Sequence, residues 1–242
     1  MTYQRPKLVN DEYYHVVVRA VGDTIVFEDE NDFYRGIFSI YEFNNDNSVN
    51  IFNRRRNRIV EKKKEVSCEV GLNTKLLADR REKFVEILAF SFMPNHLHLI
   101  LKQTKENGIS KFMQKVGTGY ANYFNKRYDR MGHLFNKFRA VHISNDNQLR
   151  NAFVYVHTNL ISLIEPGWKE KGIKNPDKVM EFLENNKRHS YPDYLEKNNF
   201  PSVTKREFLS ETMGGVGGCK TYVDSWVMHK KELNGFNDIV LE

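Results

Sequence analysis

The chain has 242 residues, 40% hydrophobic and 13% aromatic, enough for one large domain or an ordinary domain with an extension. A formal charge of +6 and a pI near 9.1 favour a polyanionic partner. Cys68 and Cys219 form no CxxC pair or zinc spacing, no run approaches the roughly 18 apolar residues of a membrane span, and the first residues carry no apolar leader. The expectation is a cytoplasmic protein without disulfides or a membrane partner.

The first element is the β-branched and aromatic run Tyr13 to Arg19, which predicts a strand. From Asn31 to Phe43 the apolar residues Phe33, Ile37, Phe38, Ile40 and Tyr41 fall at helical spacing, with Asn31 or Asp32 as expected N-cap. Residues 49–82 carry Arg54, Arg55, Arg56, Arg58 and the run Lys62 to Lys64. They read as a basic insertion, either a solvated face or an arm whose cations contact phosphates.

Val85 to Leu101 is rich in Val, Ile, Leu and Phe and is broken only by Met93-Pro94-Asn95, which predicts two strands and a tight turn. The second strand opens His96-Leu97-His98. Side chains alternate along a strand, so the two imidazoles share a sheet face about 7 Å apart. They can share a metal ion or a phosphate, or be two half-exposed strand histidines.

Gly108 to Tyr128 keeps a period near 3.6 through Ile109, Phe112, Met113, Val116, Tyr120, Tyr123 and Phe124, predicting a long amphipathic helix with an aromatic core stripe. Lys111, Lys115, Lys126 and Arg127 are candidate nucleic-acid contacts on its exposed face, as is Arg139 on the next strand, Phe138 to Ile143. Asp146 or Asn147 is expected to cap a helix reaching about Leu163. The order strand, helix, strand, strand, helix, strand is that of a ferredoxin-like α+β fold with one antiparallel sheet, and the Asp146 helix is an addition to it. Residues 1–165 form the expected main domain and 166–242 a C-terminal helical extension.

Tyr155 and Asn159 stand four apart on the added helix and share a face. A phenol is a poor nucleophile until activated, and an asparagine oxygen suits Mg²⁺ or Mn²⁺. If this helix crosses the face carrying His96 and His98, both imidazoles and Asn159 can bind one divalent ion beside the Tyr155 hydroxyl. On spacing alone, a tyrosine here reads as core. His157 falls about 200° round the helix from Tyr155 and should face elsewhere. His133 and His142 read as structural. Gly214 to Thr221 approaches a phosphate-binding loop, but Cys219 replaces its second glycine and no β-rich run precedes it, so no nucleotide cofactor is expected.

The stretch Ala89 to Leu99, with Met93-Pro94-Asn95-His96-Leu97-His98 at its centre, resembles the signature of the single-tyrosine HUH transposases, in particular the REP-associated tyrosine transposase group. Tyr14-His15-Val16, Gly108 to Gln114, Tyr120 to Asn125, Gly132 to Phe135, Tyr155 to Asn159 and Ser190 to Leu195 are similar to further family motifs. The resemblance spans about residues 10 to 240 and is least over 49–82. It implies a ferredoxin-like catalytic domain over 1–165 with His96, His98 and Asn159 as ligands of Mg²⁺ or Mn²⁺ and Tyr155 as nucleophile. It implies cleavage and rejoining of single-stranded DNA near hairpins through a 5′-phosphotyrosine, by a monomer or homodimer. The family's usual proline after the asparagine is Leu160 here, so the helix is expected to run on to Ile164. The competing readings are a hairpin-binding protein without catalysis and a metal-dependent nuclease that uses water.

Overall fold

The computed structural model describes residues 4–49, 79 and 81–229. The expected basic arm with Arg54, Arg55, Arg56 and Arg58 lies outside the described residues.

Four strands form one antiparallel sheet: β1 (Tyr13–Arg19), β2 (Val85–Met93), β3 (His96–Gln103) and β4 (Arg139–Ile143), in the order β2-β3-β1-β4. With α1 (Glu30–Glu42) after β1 and α2 (Gly108–Arg127) after β3, this is the ferredoxin-like arrangement. One sheet face carries Tyr14, Val16, Val18, Phe90, Phe92, Leu97, Leu99 and Leu101, and packs on the apolar stripes of α1 and α2. The cap of α1 lies two to three residues earlier than the sequence suggests. Asp29, with extended backbone, accepts from Asp32 N–H at 2.9 Å and is the N-cap. The Asp32 carboxylate is drawn instead to Arg127 and to the hydroxyls of Tyr123 and Tyr128.

The opposite face is covered by α3 (Asp146–Thr158), capped by Asn145, which accepts from Gln148 N–H at 2.9 Å. The chain then tightens to a 3-10 turn over Asn159–Leu163. Leu160 thus keeps the backbone helical past Asn159, in the narrower form, and is itself buried in the core. The extension packs on this same face. α4 (Trp168–Lys171), α5 (Pro176–Asn185), α6 (Tyr191–Tyr194), α7 (Glu207–Met213) and α8 (Gly215–His229) share a core with α3 and with Leu88, Ala89, Met93 and Ile100 of the sheet.

The extension also closes an edge. Phe92 N–H donates to the Arg188 carbonyl, Ser190 N–H to the Phe90 carbonyl and Phe90 N–H to the Ser190 hydroxyl. An unpaired β2 edge would otherwise expose its donors. A register shift between Ile87 and Ala89 turns Leu88 toward the α3 face, and the Tyr194 hydroxyl donates to the Leu88 carbonyl at 2.7 Å. The glycine run near Cys219 is helical, opening α8, which fits the expectation that it is no phosphate loop.

Candidate active site

The tight turn between β2 and β3 aims the paired histidines. The Pro94 carbonyl accepts from Val26 and Phe27 N–H, and the Asn95 carbonyl from Ala20 N–H, so the turn is tied to the end of β1 and the loop before α1. His96 and His98 leave β3 on the α3 face, with ring centroids 4.8 Å apart. One helical turn separates Tyr155 from Asn159, and α3 lays both against His98. The Asn159 amide nitrogen is 2.8 Å from His98 Nε2, and the Tyr155 ring meets the His98 ring edge-on at 5.8 Å. All four are inside the protein: His98 is 0%, Asn159 2%, Tyr155 5% and His96 6% exposed. The helix thus crosses the histidine face.

Each imidazole has its second nitrogen engaged. His96 Nδ1 is 2.6 Å from the Asn95 carboxamide oxygen, so Nδ1 carries the proton and Nε2 the lone pair. His98 Nδ1 is 3.0 Å from His15 Nε2. Burial, then the neighbouring His15, His96, Lys169 and Arg19, push the His98 pKa well below the usual imidazole range. His98 is therefore neutral at neutral pH, the form that ligates metals.

The donor set fits a divalent ion. A half-turn of the Asn159 amide brings its oxygen to the atom position 2.8 Å from His98 Nε2. Two neighbouring ligands of an octahedral ion, each about 2.1 Å from it, stand about 3 Å apart. Two imidazoles and an amide leave further positions for water and phosphate oxygens. Among the described residues no group of three or more His, Cys, Asp or Glu is gathered as a metal cage, so a closed structural site is absent there.

Two cations near the site had no signal in the sequence. Arg19 lies opposite His96 in the β1–β3 pairing. Lys169, from the polar segment after Gly167, places its ammonium 5.7 Å from the centre of the Tyr155 ring. Only the folding of α4 back over α3 brings it there. Asn95 was visible within its motif, but its role as the His96 partner was not.

The expected DNA contacts divide by face. Arg139 is exposed at the β4 edge, opposite Val17, and alternates with Ala140 so that it lies on the α3 side. Lys111, Lys115, Lys126 and Arg127 all lie on α2, across the sheet from Tyr155. Lys111 and Lys126 are exposed. The Lys115 ammonium donates to the carbonyls of Asn45, Asp46 and Asn47, and Arg127 is paired with Asp29 and Asp32. A groove of about 760 Å³ opens beside α2, lined in part by Gln114, Asn122, His133 and Lys137, and it too is separated from the tyrosine by the sheet. His157 faces away from the site, as expected, with Nε2 2.9 Å from the Ser190 hydroxyl. His142 is 2.8 Å from Glu12.

Residues 47–159 match the family model described as transposase IS200-like, a span that ends on Asn159 and contains His96, His98 and Tyr155. This segment, a little under half of the chain, is similar to the IS200-like transposases. No curated protein matches it. Among solved structures, it is similar to a REP-associated tyrosine transposase bound to a REP hairpin, at 11% identity over 86% of this chain and 93% of that one, with a TM-score of 0.49. It is also similar to a bacterial tRNA(His) guanylyltransferase-like protein in complex with ATP, at 11% identity over 81% and 79% of the chains, TM-score 0.39. The tRNA(His) guanylyltransferase of Saccharomyces cerevisiae follows at 12% identity over 76% of each, TM-score 0.28. No helix among the described residues is long and apolar enough to cross a membrane.

Proposed function

We propose that the chain cleaves and rejoins single-stranded DNA through a phosphotyrosine on Tyr155. The observation that carries this reading is the convergence of Tyr155, Asn159, His96 and His98 on one sheet face, with Asn159 2.8 Å from His98. His96 Nε2, His98 Nε2 and the Asn159 oxygen would hold Mg²⁺ or Mn²⁺. When bound, the ion supplies charge stabilisation at a non-bridging phosphate oxygen. The Tyr155 oxygen attacks phosphorus and its phenolic proton passes to water. The bond to the 3′-oxygen breaks, and that oxygen takes up a proton to leave a free 3′-hydroxyl. The 5′-phosphate stays on the tyrosine, and attack by a 3′-hydroxyl reverses the step and rejoins a strand without ATP. Arg19, Lys169 and Arg139 supply positive charge on the face the phosphate approaches.

The family motifs in the sequence extend the reading to DNA beside hairpins and to the REP-associated group. In this reading residues 1–165 are the catalytic part and 166–242 an extension that buttresses the tyrosine helix, in a cytoplasmic monomer or homodimer. Lys111 and Lys126 meet DNA from the α2 side.

The test is incubation with Mn²⁺ and end-labelled hairpin oligonucleotides from the DNA flanking the gene, resolved on a denaturing protein gel. The label should travel with the protein and be lost in Tyr155→Phe, while a native gel still shows the variant binding DNA. Cut DNA without adduct would instead indicate a water-using nuclease, and a shifted but uncut oligonucleotide a binding protein.

A further inference from the structure

The residue that holds His98 from behind is not one of the candidate ligands. β1 and β3 pair so that Val17 stands opposite His98 and His15 opposite Ile100. His15 and His98 therefore leave neighbouring strands on the same face, displaced diagonally. Their rings lie 13° from parallel with centroids 5.3 Å apart, and His15 Nε2 is 3.0 Å from His98 Nδ1. The same His15 ring meets the Tyr155 ring edge-on at 5.5 Å and 74°. His15 is fully buried. It touches both the ligand histidine and the tyrosine, yet its Nε2 faces the back of His98 and not the nitrogen beside Asn159.

That placement has one chemical consequence. A neutral imidazole has one proton for two nitrogens. His98 can offer Nε2 as a lone pair only if its proton sits on Nδ1, and a proton there needs an acceptor, because a buried unsatisfied donor is costly. His15 Nε2 is that acceptor, which places the His15 proton on its own Nδ1. Asn95 does the corresponding service for His96. Such outer partners fix tautomer and ring orientation in metal sites.

We infer that His15 is a positioning residue: it accepts the His98 Nδ1 proton, fixes Nε2 as the ion-facing nitrogen, and holds the Tyr155 ring beside it. The inference rests on the metal-assisted reading of the site.

Its test begins with the full-length, metal-free protein labelled with ¹⁵N-histidine. Long-range ¹⁵N–¹H spectra should show His98 as the Nδ1–H tautomer. A wild-type Nε2–H tautomer would overturn the inference without any variant. Next, His15→Phe removes the acceptor, and His15→Gln restores one near the position of Nε2. In Mn²⁺ binding followed by electron paramagnetic resonance, His15→Phe should weaken affinity about 10- to 100-fold. His15→Gln should recover most of it, with His98 still protonated on Nδ1. Metal-free hairpin binding should be unchanged in both. Wild-type Mn²⁺ affinity and an unchanged His98 tautomer in His15→Phe would make His15 a packing residue only and overturn the inference. Absence of Mn²⁺ binding by the wild type would overturn this inference and the metal-assisted reading together. Absence of a Tyr155 adduct, with Mn²⁺ binding still governed by His15, would remove the nucleophile reading alone.

Discussion

The two faces of the sheet are built from the same strands to opposite ends. Toward α1 and α2, β1 and β3 contribute Tyr14, Val16, Val18, Leu97, Leu99 and Leu101, and the rings of Phe27, Phe33, Phe90 and Phe92 interlock edge-to-face. Toward α3, the alternate positions of the same strands contribute His15, His96 and His98, met by Tyr155 and Asn159. Polar groups on the first side serve architecture: Arg127, Asp29 and Asp32 tie α2 to α1, and Lys115 holds three loop carbonyls. Arg127, through hydrogen bonding, holds the exposed Asp29 carboxyl down at about 2. On the second side, His15, His98 and Asn159 form one buried chain of contacts, beside the structural pairs His157–Ser190 and Tyr194–Leu88. Strand alternation puts the paired histidines on the face opposite the α1–α2 core, among the second core that α3 and the extension build.

The largest effect should fall on the α3 face. Tyr155→Phe removes only a hydroxyl, so adduct formation should drop by several orders of magnitude in single-turnover assays while urea denaturation stays near wild type. A stability loss matching the activity loss would break the division between faces. The next effect belongs to the other face. Phe92 is fully buried against Phe27, Phe33 and Phe90, so Phe92→Ala should cost about 3–5 kcal/mol in urea unfolding. The surviving folded fraction should cleave at an unchanged rate per folded molecule.

Between these lies a pH effect from the α3 side. His157 and His189 are fully buried, and burial pushes both below the imidazole range, His189 to about 4. In the unfolded chain they take up protons near 6.5. Below that pH the unfolded state binds more protons, so stability falls as pH drops from about 6.5 toward 4, by roughly 1.4 kcal/mol per unit for each histidine held neutral. His189 alone should account for about 3 kcal/mol by pH 4. Urea midpoints at pH 7 and pH 5 should differ accordingly, and His189→Gln should flatten the slope. Equal slopes in both proteins would remove the buried-histidine account.

The smallest effects sharpen the comparison within α2. A Cβ at Gly119 would lie 2.1 Å from the Phe43 ring, so Gly119→Ala should destabilise by about 1–3 kcal/mol. At Gly117 a Cβ meets nothing within 4 Å, and Gly117→Ala should stabilise by about 0.5–1 kcal/mol through helix propensity. Thermal melts of the pair should shift in opposite directions.

Much of this was written locally in the chain. The apolar run Val85 to Leu101, broken by the Met93-Pro94-Asn95 turn, defined β2 and β3, and the 3.6 period defined α2, because each depends on residues near in sequence. His96 with His98, and Tyr155 with Asn159, were legible as pairs for the same reason. That the pairs meet was conditional on α3 crossing the histidine face, and the structure satisfies the condition. Contacts set by distant folding were hidden. Asp29 displaced the expected cap because Asp32 is captured by α2 residues some 95 positions away. His15 sits 83 positions from His98, and Lys169 reaches Tyr155 only through the fold of the extension. The β2 edge is closed by residues 188–190, which sequence pattern showed only as a packing turn.

The most direct test of the central claim is to isolate the covalent complex with a hairpin oligonucleotide, digest it, and locate the nucleotide-bearing peptide by mass spectrometry. Tyr155, and none of the other tyrosines, should carry a phosphonucleotide. Attachment at any other residue, or cleaved DNA with no modified peptide, would contradict it.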